Sequence, residues 1–238
     1  MDYYFITGTN KGLGKALTTL LLKNDNNVVF GISRKHTIKH QSYTPLTLDL
    51  NDLEAVKAFN FPTIAPPNKV ILINNAGVIG AIKHLGNQNE EAIITTYNVN
   101  LISPTLLINK LLKTYDDAVI KQIVNISSGA GRTPIDGWSV YCSTKAGLDM
   151  MSLVLKEECS INHKNINILS LAPGIIDTAM QESIRKAQPE DFSNIERFKT
   201  YKRQGDLATP ENTAQLVLQF LENEKLQENT ICSVRDIQ

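Results

Sequence analysis

The sequence predicts an α/β fold in which a doubly wound, mostly parallel sheet of seven strands carries helices on both faces. Short, nearly continuous runs of β-branched and other apolar residues alternate with amphipathic stretches of helical period, and such runs are typical of strands buried on both faces. A strand, a helix and a second strand in succession form a parallel pair with a right-handed crossover. The 238 residues contain no internal repeat or linker, so we expect residues 1–238 to form one domain with a substantial core.

The predicted elements follow one another regularly until late in the chain. The strand candidates are 3–7, 27–32, 69–74, 122–127 and 166–172, with weaker candidates at 44–50 and 228–234. The helical patterns lie at about 12–24, 51–59, 90–113, 139–159 and 210–223. The segment 175–209 breaks the alternation, because it is polar, mixed and longer than an ordinary connection. We expect it to be a functional insertion of the lid type.

Composition narrows the class of protein. The 24 basic and 24 acidic side chains cancel, so no overall field attracts nucleic acid or an anionic membrane. The apolar runs are too short to span a bilayer, and the first residues lack the charged and apolar segments of a signal peptide. The three cysteines, Cys142, Cys159 and Cys232, are widely spaced, which predicts free thiols in a reducing compartment and no metal site. We expect a soluble cytoplasmic protein.

The first predicted strand runs into the stretch TGTNKGLG at 7–14, which also opens the first predicted helix. Gly8, Gly12 and Gly14 permit a tight turn, close approach of the backbone to a diphosphate, and tight packing of the helix on the strand. The start of the helix offers free N–H groups and the positive end of its dipole to an anion. A glycine pattern alone is weak, but between a strand and a helix it predicts nucleotide binding.

The end of the second predicted strand indicates which nicotinamide cofactor binds. Sites for NAD place Asp or Glu there to hold the ribose hydroxyls, whereas residues 31–36 are GISRKH and contain no acid. Arg34 can bind a 2′-phosphate, Ser33 can donate to it, and Lys11 in the glycine loop points toward the same region. The alternative is that these are solvated surface residues. The sequence favours NADP(H).

The stretch YCSTK at 141–145 places a tyrosine and a lysine four residues apart, on one face of a predicted helix. A cation beside a phenol lowers its pKa from about 10 and makes it a usable proton donor. The alternative is an exposed pair on a helix surface, and the bare pattern favours that alternative. The remaining motifs therefore have to decide between the two interpretations.

These motifs and several others resemble, in order and over nearly the whole chain, those of the short-chain dehydrogenase/reductase family. The motifs are TGTNKGLG at 7–14, Asp49 with Leu50, NNAG at 74–77, NVNL at 98–101, NISSGAG at 125–131, YCSTK at 141–145 and PGIIDT at 173–178. Any one of them is weak, whereas all of them together are specific. The resemblance implies a Rossmann fold and an oxidoreductase that transfers a hydride between a nicotinamide cofactor and a carbonyl group.

The resemblance also assigns the site residues. The cofactor-binding residues are expected to be Gly8, Asn10, Lys11, Gly12, Leu13, Gly14, Ser33, Arg34, Asp49, Leu50, Asn75, Ala76, Gly77, Tyr141, Lys145, Pro173, Gly174, Ile176 and Thr178. The catalytic residues are expected to be Asn100, Ser128, Tyr141 and Lys145. Ser128 is preferred to Ser127 because its spacing from the tyrosine fits the family better.

The implied mechanism gives each catalytic residue a task. Tyr141 donates its proton to the carbonyl oxygen, and Ser128 holds that oxygen. Lys145, together with the positive nicotinamide being formed, lowers the pKa of the tyrosine, and Lys145 also bonds the nicotinamide ribose. Asn100 fixes a water that links Lys145 to solvent.

A proline is expected to assist this relay. Pro104 disfavours α geometry at Ser103 and removes one helical hydrogen bond. The carbonyl that loses its donor could then bind the water.

A narrower resemblance, to the branch that contains sepiapterin reductases and bacterial benzil reductases, comes from SSGAGRTPIDGWSVYCSTKAG and RFKTYKRQGDLATPE. The expected substrate contacts are Ser128, Trp138, Tyr141 and Met180, with Trp138 at the mouth of the site and Phe192, Phe198 and Tyr201 as further apolar walls on a mobile lid. Ser233 stands where sepiapterin reductases carry the acid that anchors the pterin. Apolar and aromatic walls favour an aromatic or vicinal diketone.

The leading interpretation is therefore an NADPH-dependent carbonyl reductase with a small-molecule substrate. Two alternatives within the family are a 3-oxoacyl-carrier-protein reductase and a general alcohol dehydrogenase. An alternative from another class is a non-catalytic NADP-sensing protein, which would not need the complete catalytic set. In the family, helices such as those at about 90–113 and 139–159 pack against a second copy, so we expect a homodimer or homotetramer.

Overall fold

A seven-stranded sheet forms the centre of the molecule in the computed structural model, which describes residues 1–62 and 67–237, without the side chains of residues 224 and 225. Its strands are β1 (Asp2–Thr7), β2 (Asn27–Ser33), β3 (Tyr43–Thr47), β4 (Lys69–Asn74), β5 (Ile120–Ile126), β6 (Ile166–Ala172) and β7 (Ile231–Ser233). Their order is β3-β2-β1-β4-β5-β6-β7, and each neighbouring pair is parallel. The predicted fold class is confirmed, and the sheet is parallel throughout rather than mostly parallel.

The helices cover both faces of this sheet. They are α1 (Gly12–Leu21), α2 (Leu53–Ala58), α3 (Glu90–Tyr97), α4 (Ser103–Thr114), α5 (Ser139–Ile161), α6 (Ala179–Arg185), α7 (Ile195–Gln204) and α8 (Pro210–Glu222). Successive residues of a strand point to opposite faces. Accordingly, Ile6 of β1 packs in the core beneath α1 and α8, whereas Phe5 packs in the core beneath α2, α4 and α5.

The order of the strands positions the site. From β1 the chain builds outward through β2 and β3, and it then returns to place β4 on the other side of β1. In such a sheet the ligand crevice opens outside the carboxyl ends of the strands, at the point where the order reverses. The loops after β1 and β4 meet at that point.

The predicted helix at 90–113 is interrupted. The chain forms α3, then a π-helical turn at Asn98–Ile102, then α4. Ser103 keeps α geometry (φ −64°, ψ −43°) and donates its N–H to the carbonyl of Asn98, so the expected distortion at Ser103 is wrong. Pro104 lies in the first turn of α4, where a missing N–H costs little. The irregularity is therefore a wider turn ahead of the proline.

The predicted lid segment, 175–209, contains two helices. The ends of this excursion are tied together, because Asp177 N–H donates to the Ala208 carbonyl at 2.9 Å and Ala208 N–H donates to the Ile175 carbonyl at 3.0 Å. Between these ends the chain forms α6 and α7.

The structure also bears on membrane-spanning helices, metal sites and the state of the cysteines. Within residues 1–62 and 67–237, no helix has the length and apolar character needed to cross a bilayer. The same described part of the chain brings together no group of three or more His, Cys, Asp or Glu side chains that would hold a metal ion. Cys142, Cys159 and Cys232 are free thiols, as predicted.

Candidate active site

The glycine loop between β1 and α1 forms a cradle for an anion. Gly8 and Gly12 have positive φ values of 77° and 55°, which other residues rarely adopt. A Cβ on Gly14 would lie 2.3 Å from the Gly8 carbonyl oxygen, so this close packing requires glycine. Lys11, the N-cap of α1, makes no side-chain capping bond, and the first turn contains no acid. The N–H groups at this end of α1 therefore remain directed at the crevice, and Leu13 of the motif packs into the core.

Asn10 adds a polar atom to the cradle. Its side-chain oxygen is buried and has no hydrogen-bond partner among the described residues. A buried polar atom without a partner is costly, and a bound group that donates to it would remove that cost. Together with the glycine cradle, this atom fits the diphosphate and ribose portion of a nicotinamide dinucleotide.

The NNAG motif after β4 joins this cradle to the catalytic residues. The Asn75 side chain donates to the Thr7 carbonyl at 2.8 Å, and the N–H groups of Asn75 and Ala76 both donate to the Thr7 hydroxyl at 2.9 Å. A Cβ on Gly77 would lie 3.7 Å from Lys145 Nζ. Thr7, the first residue of the glycine motif, was not among the predicted site residues although that motif contains it.

The end of β2 presents basic side chains. The guanidinium of Arg34 is 75% exposed and lies 3.9 Å from the Asp49 carboxylate, and Lys11 is exposed. Leu50, next to Asp49, is buried. Ser33 is also buried, and its hydroxyl accepts from Thr9 N–H at 2.8 Å, so it braces the glycine loop.

The segment after β6 lies over the glycine loop. Gly174 follows Pro173 and has a positive φ of 76°. The chain turns back toward the crevice at this glycine. Thr178 lies close to Gly12. A Cβ placed on Gly12 would lie 3.4 Å from the methyl carbon of Thr178. Ile176 forms an isolated bridge with Ala208.

Tyr141 and Lys145 point into the molecule from the first two turns of α5. Tyr141 is 7% exposed and Lys145 is 4% exposed, so the alternative of an exposed surface pair is wrong. Lys145 Nζ lies 5.8 Å from the centroid of the tyrosine ring and donates to the Ile126 carbonyl at 2.7 Å. The side chain of Ser128 lies near enough to the Tyr141 hydroxyl to lower the pKa of the phenol. Ser127 is buried, and its hydroxyl has no partner within the described chain.

Burial shifts the pKa values of this pair in opposite directions. It raises the pKa of Tyr141 to about 12, against a smaller lowering by the Ser128 side chain. It also lowers the pKa of Lys145 to about 8, and the Asp149 carboxylate opposes that shift. Removal of the phenolate from water is the largest influence on the pKa of Tyr141 and outweighs the lowering by Ser128, so the lowering expected from Lys145 together with the positive nicotinamide is not seen for the chain alone. Tyr141 is therefore held in the neutral form that donates a proton.

Asn100 occupies the π-helical turn and is buried. Its side-chain oxygen accepts from Val78 N–H at 2.9 Å, and its amide donates to the Val78 carbonyl at 2.8 Å. The amide also donates to the Thr144 hydroxyl at 3.3 Å. The asparagine side chain thus fixes the loop after β4 against α5, beside Lys145.

Aromatic side chains pack behind Tyr141. The Trp138 ring meets Tyr141 edge to face at 5.7 Å and stacks on Phe192 at 5.4 Å. Phe198 lies 5.4 Å from both Trp138 and Phe192. Trp138 and Phe192 are buried, so the expectation that Trp138 lies at the mouth of the site is wrong. Met180 and Tyr201 are partly buried and pack on the same cluster.

The loop that precedes α5 is bonded to the lid segment. The Asp136 carboxylate accepts from Ser193 N–H at 2.7 Å, from the Ser193 hydroxyl at 2.9 Å and from the Asn194 amide at 3.2 Å. These bonds hold the pKa of Asp136 below its usual range. His84 Nε2 lies 3.8 Å from the same carboxylate. No sequence pattern indicated this contact.

A cavity of about 270 Å³ lies between α6 and the loop after β4. Its apolar lining includes Ile79 and Ile82, which pack on the same cluster as Trp138 and Tyr141. Lys83, Ser183 and Gln188 add polar groups. The cavity thus combines apolar walls with a few polar side chains.

Comparison with known proteins identifies relatives along the whole chain. Residues 3–189 match the family profile described as short chain dehydrogenase. The "Benzil reductase ((S)-benzoin forming)" of Bacillus cereus is 35% identical, over 98% of this chain and 99% of that protein. The sepiapterin reductase of Bos taurus is 28% identical, over 93% of this chain and 90% of that protein. The crystal structure of the KRED1-Pglu enzyme superposes with a TM-score of 0.85 at 26% identity, over 98% of this chain and 100% of that one.

Proposed function

Because this chain belongs to the short-chain dehydrogenase/reductase family and is an oxidoreductase that acts on alcohol or carbonyl groups, we propose that it reduces aromatic or vicinal diketones with NADPH. One observation carries the proposal. The neutral Tyr141 hydroxyl lies near the Ser128 side chain, which lowers its pKa, and the tyrosine ring adjoins the buried Lys145 side chain, beside the crevice that the glycine loop opens. Regulation by cofactor sensing would not require this pair.

The residues of the chain divide the work of carbonyl reduction. When bound, the nicotinamide cofactor supplies the hydride. Ser128 and Tyr141 donate hydrogen bonds to the carbonyl oxygen, and Tyr141 transfers its proton to that oxygen as negative charge develops there. The phenolate that results lies 5.8 Å from Lys145 Nζ, measured to the ring centroid, so the ammonium stabilises it. Asn100 holds the neighbouring loop in place and, as proposed from the family, supports the water that returns a proton.

The preference for NADPH is supported by the charges around the end of β2. Arg34 and Lys11 are exposed cations at the edge of the glycine loop, and residues 31–36 contain no acid. Arg34 contacts Asp49 only at 3.9 Å and largely in solvent, where an ion pair contributes little. It is therefore free to bind a 2′-phosphate, whose pairing with a guanidinium is among the stronger charge-assisted contacts. The Ser33 hydroxyl supports the glycine loop by accepting a hydrogen bond from Thr9 N–H.

The choice of a diketone is supported by the walls of the site and by the relatives. Trp138, Phe192 and Phe198 form a buried aromatic cluster behind Tyr141, and the cavity beside this cluster is lined by the apolar side chains of Ile79 and Ile82. Flat apolar carbonyl compounds fit such surroundings. Two Bacillus proteins, 35% and 36% identical to this chain, are named for benzil reduction.

Sepiapterin is the second candidate, because several relatives are sepiapterin reductases. The position expected for a pterin-anchoring acid is Ser233. The Asp236 carboxylate, in the turn after β7, accepts from Ser233 N–H at 2.7 Å and thus already has a partner at the end of that strand. We therefore rank sepiapterin below benzil.

The test is a comparison of kcat/KM with benzil, sepiapterin and a 3-oxoacyl thioester, followed through the consumption of NADPH. We expect benzil to be reduced to the hydroxyketone with the highest value. A higher value for sepiapterin or the thioester would overturn the proposed substrate class. Binding of NADPH without turnover of any carbonyl would instead favour the non-catalytic alternative.

A further inference from the structure

Asp149 lies on the same face of α5 as the catalytic pair, one turn beyond Lys145 and two turns beyond Tyr141. It is buried. A buried carboxylate is costly unless it is bonded, and neither the sequence motifs nor the steps of carbonyl reduction use this one. Its surroundings indicate what it does.

Both carboxylate oxygens of Asp149 are bound by neighbouring elements. Arg132 Nε donates to Oδ2 at 3.0 Å, and the Ser170 hydroxyl of β6 donates to Oδ1 at 2.6 Å. Arg132 N–H also donates to the Gly129 carbonyl at 3.0 Å, within the turn that follows Ser128. The carboxylate is thus fixed in position by two elements of the fold, one of which supplies a cation.

The negative charge of Asp149 acts on the amine of Lys145. The amine is buried, its one described protein partner is the neutral Ile126 carbonyl, and burial alone would drive it toward the neutral form. The Asp149 carboxylate acts in the opposite direction and favours the ammonium.

The other ionisable groups around this pair come from three elements. Within the described part of the chain they are Tyr141 on α5, Arg132 after β5, and Cys232 on β7 with Asp236 beyond it. Tyr141 is neutral, and burial raises the pKa of the Cys232 thiol to about 12. Arg132 is a second cation and cannot stabilise the first. Asp149 is therefore the negative charge that is both buried and fixed next to Lys145.

We propose that Asp149 is a positioning residue for the reduction: its fixed carboxylate, one helical turn from Lys145, keeps that buried side chain as the ammonium that faces Tyr141. The inference rests on the proposed function only for the role of Lys145 in catalysis. Its central claim concerns the protonation of a lysine, and that can be measured without turnover.

The direct test is NMR titration of protein that carries isotope-labelled lysine, with the Lys145 signal assigned by its loss in Lys145→Met. The Asp149→Asn substitution keeps the shape of the side chain but removes its charge. We expect it to lower the titration midpoint of Lys145 by about one pH unit or more. The alkaline limb of the pH profile of kcat/KM should move by the same interval. Ser170→Ala is the matched control, because it removes one hydrogen bond from Asp149 and leaves the charge in place, so the midpoint should stay at the parent value.

An unchanged midpoint in a folded Asp149→Asn protein would overturn the proposal, whatever its activity. A second variant covers the case in which that protein does not fold. Arg132→Gln removes the cation that offsets Asp149, so the Lys145 midpoint should rise, and a midpoint that stays constant or falls would overturn the proposal as well. If the comparison of substrates contradicts the proposed function, the Lys145 titrations in Asp149→Asn and Arg132→Gln still test the role of Asp149.

Discussion

The Lys145 ammonium lies 5.8 Å from the centroid of the Tyr141 ring, one helical turn away on α5. Because both side chains are buried, the phenol has a pKa of about 12 and the amine a pKa of about 8. At neutral pH each group therefore carries its proton. These protonation states are the ones that the proposed reduction requires, in which the tyrosine donates a proton and the ammonium stabilises the phenolate left behind.

Removal of the phenolic hydroxyl should abolish reduction. The Tyr141→Phe variant loses the proton donor beside Ser128, while the ring contacts with Trp138 are retained. We expect kcat to fall by at least about a hundredfold, the range found for general acids, with little change in NADPH affinity measured by fluorescence. Tyr97→Phe is the control, since Tyr97 loses a comparable bond, to Ser143 at 2.7 Å, at an exposed position. Retention of most of the turnover in Tyr141→Phe would show that another group is the acid.

The rate of reduction should fall as pH rises through the pKa of Lys145. The pKa of Tyr141, about 12, lies above the usual assay range, so the phenol keeps its proton. Lys145 is charged below about pH 8 and loses its charge above it. We expect kcat/KM to be level on the acid side of that value and to decline about tenfold per pH unit on the alkaline side. In Lys145→Arg, whose charge persists, the decline should disappear, and a level profile in the parent enzyme would contradict the assignment.

The preference for NADPH should depend on Arg34. We expect the parent enzyme to favour NADPH over NADH by about tenfold or more in kcat/KM, equivalent to about 1.4 kcal/mol. Arg34→Asp replaces a phosphate-binding cation by an acid that can hold ribose hydroxyls, so the ratio should narrow or reverse. Lys35→Asp introduces the same charge change at the next exposed position and should have a smaller effect. Equal kinetics with both cofactors in the parent would contradict the prediction.

Features that depend on near neighbours in sequence were predictable here. The strand–glycine loop–helix order requires glycine at Gly8 and Gly14 for local reasons, and the four-residue spacing placed Tyr141 and Lys145 on one helix face. The pKa of Tyr141 was not predictable, because it depends on burial that involves the aromatic cluster of Trp138 and the lid helices. Desolvation of this kind is a property of the packed structure.

Contacts between exposed residues that lie far apart in the chain also could not be predicted from the sequence. Asp136 binds Ser193 and Asn194, which lie 57 and 58 residues further along the chain. These polar side chains follow no periodic pattern, and Asp136 is unremarkable in composition or spacing. Asp149 escaped notice for a similar reason, since its partners Arg132 and Ser170 meet it only after β6 and α5 have packed together.

An apolar surface on α3, the π-helical turn that follows it and α5 should mediate self-association. The exposed apolar side chains of this surface are Ile94, Ile102, Met150, Leu153, Val154 and Ile161. Contiguous exposed apolar side chains mark interaction sites, and a two-fold contact that uses the same surface on both copies is the commonest form. We expect a dimer or tetramer by light scattering at micromolar concentration, and Leu153→Glu should shift it toward monomer. Leu85→Glu, at an exposed apolar residue outside these helices, should have a smaller effect, and a monomeric parent protein would contradict the prediction.

The bonds from Asp136 to the lid should govern substrate binding. Asp136 precedes Trp138 and Tyr141 in the chain, and its carboxylate accepts three hydrogen bonds from residues between α6 and α7. Asp136→Ala removes these bonds at a partly exposed site, where each contributes about 1 kcal/mol, so the lid helices should separate more often from the aromatic cluster. We expect KM for the diketone to rise by roughly fivefold to thirtyfold, the factor that corresponds to about 1–2 kcal/mol, with NADPH affinity unchanged because the glycine loop is not involved. Glu190→Gln, at an exposed acid on the same segment, should leave KM at the parent value. An Asp136→Ala enzyme with the parent KM would mean that these bonds play no part in holding the lid over the substrate.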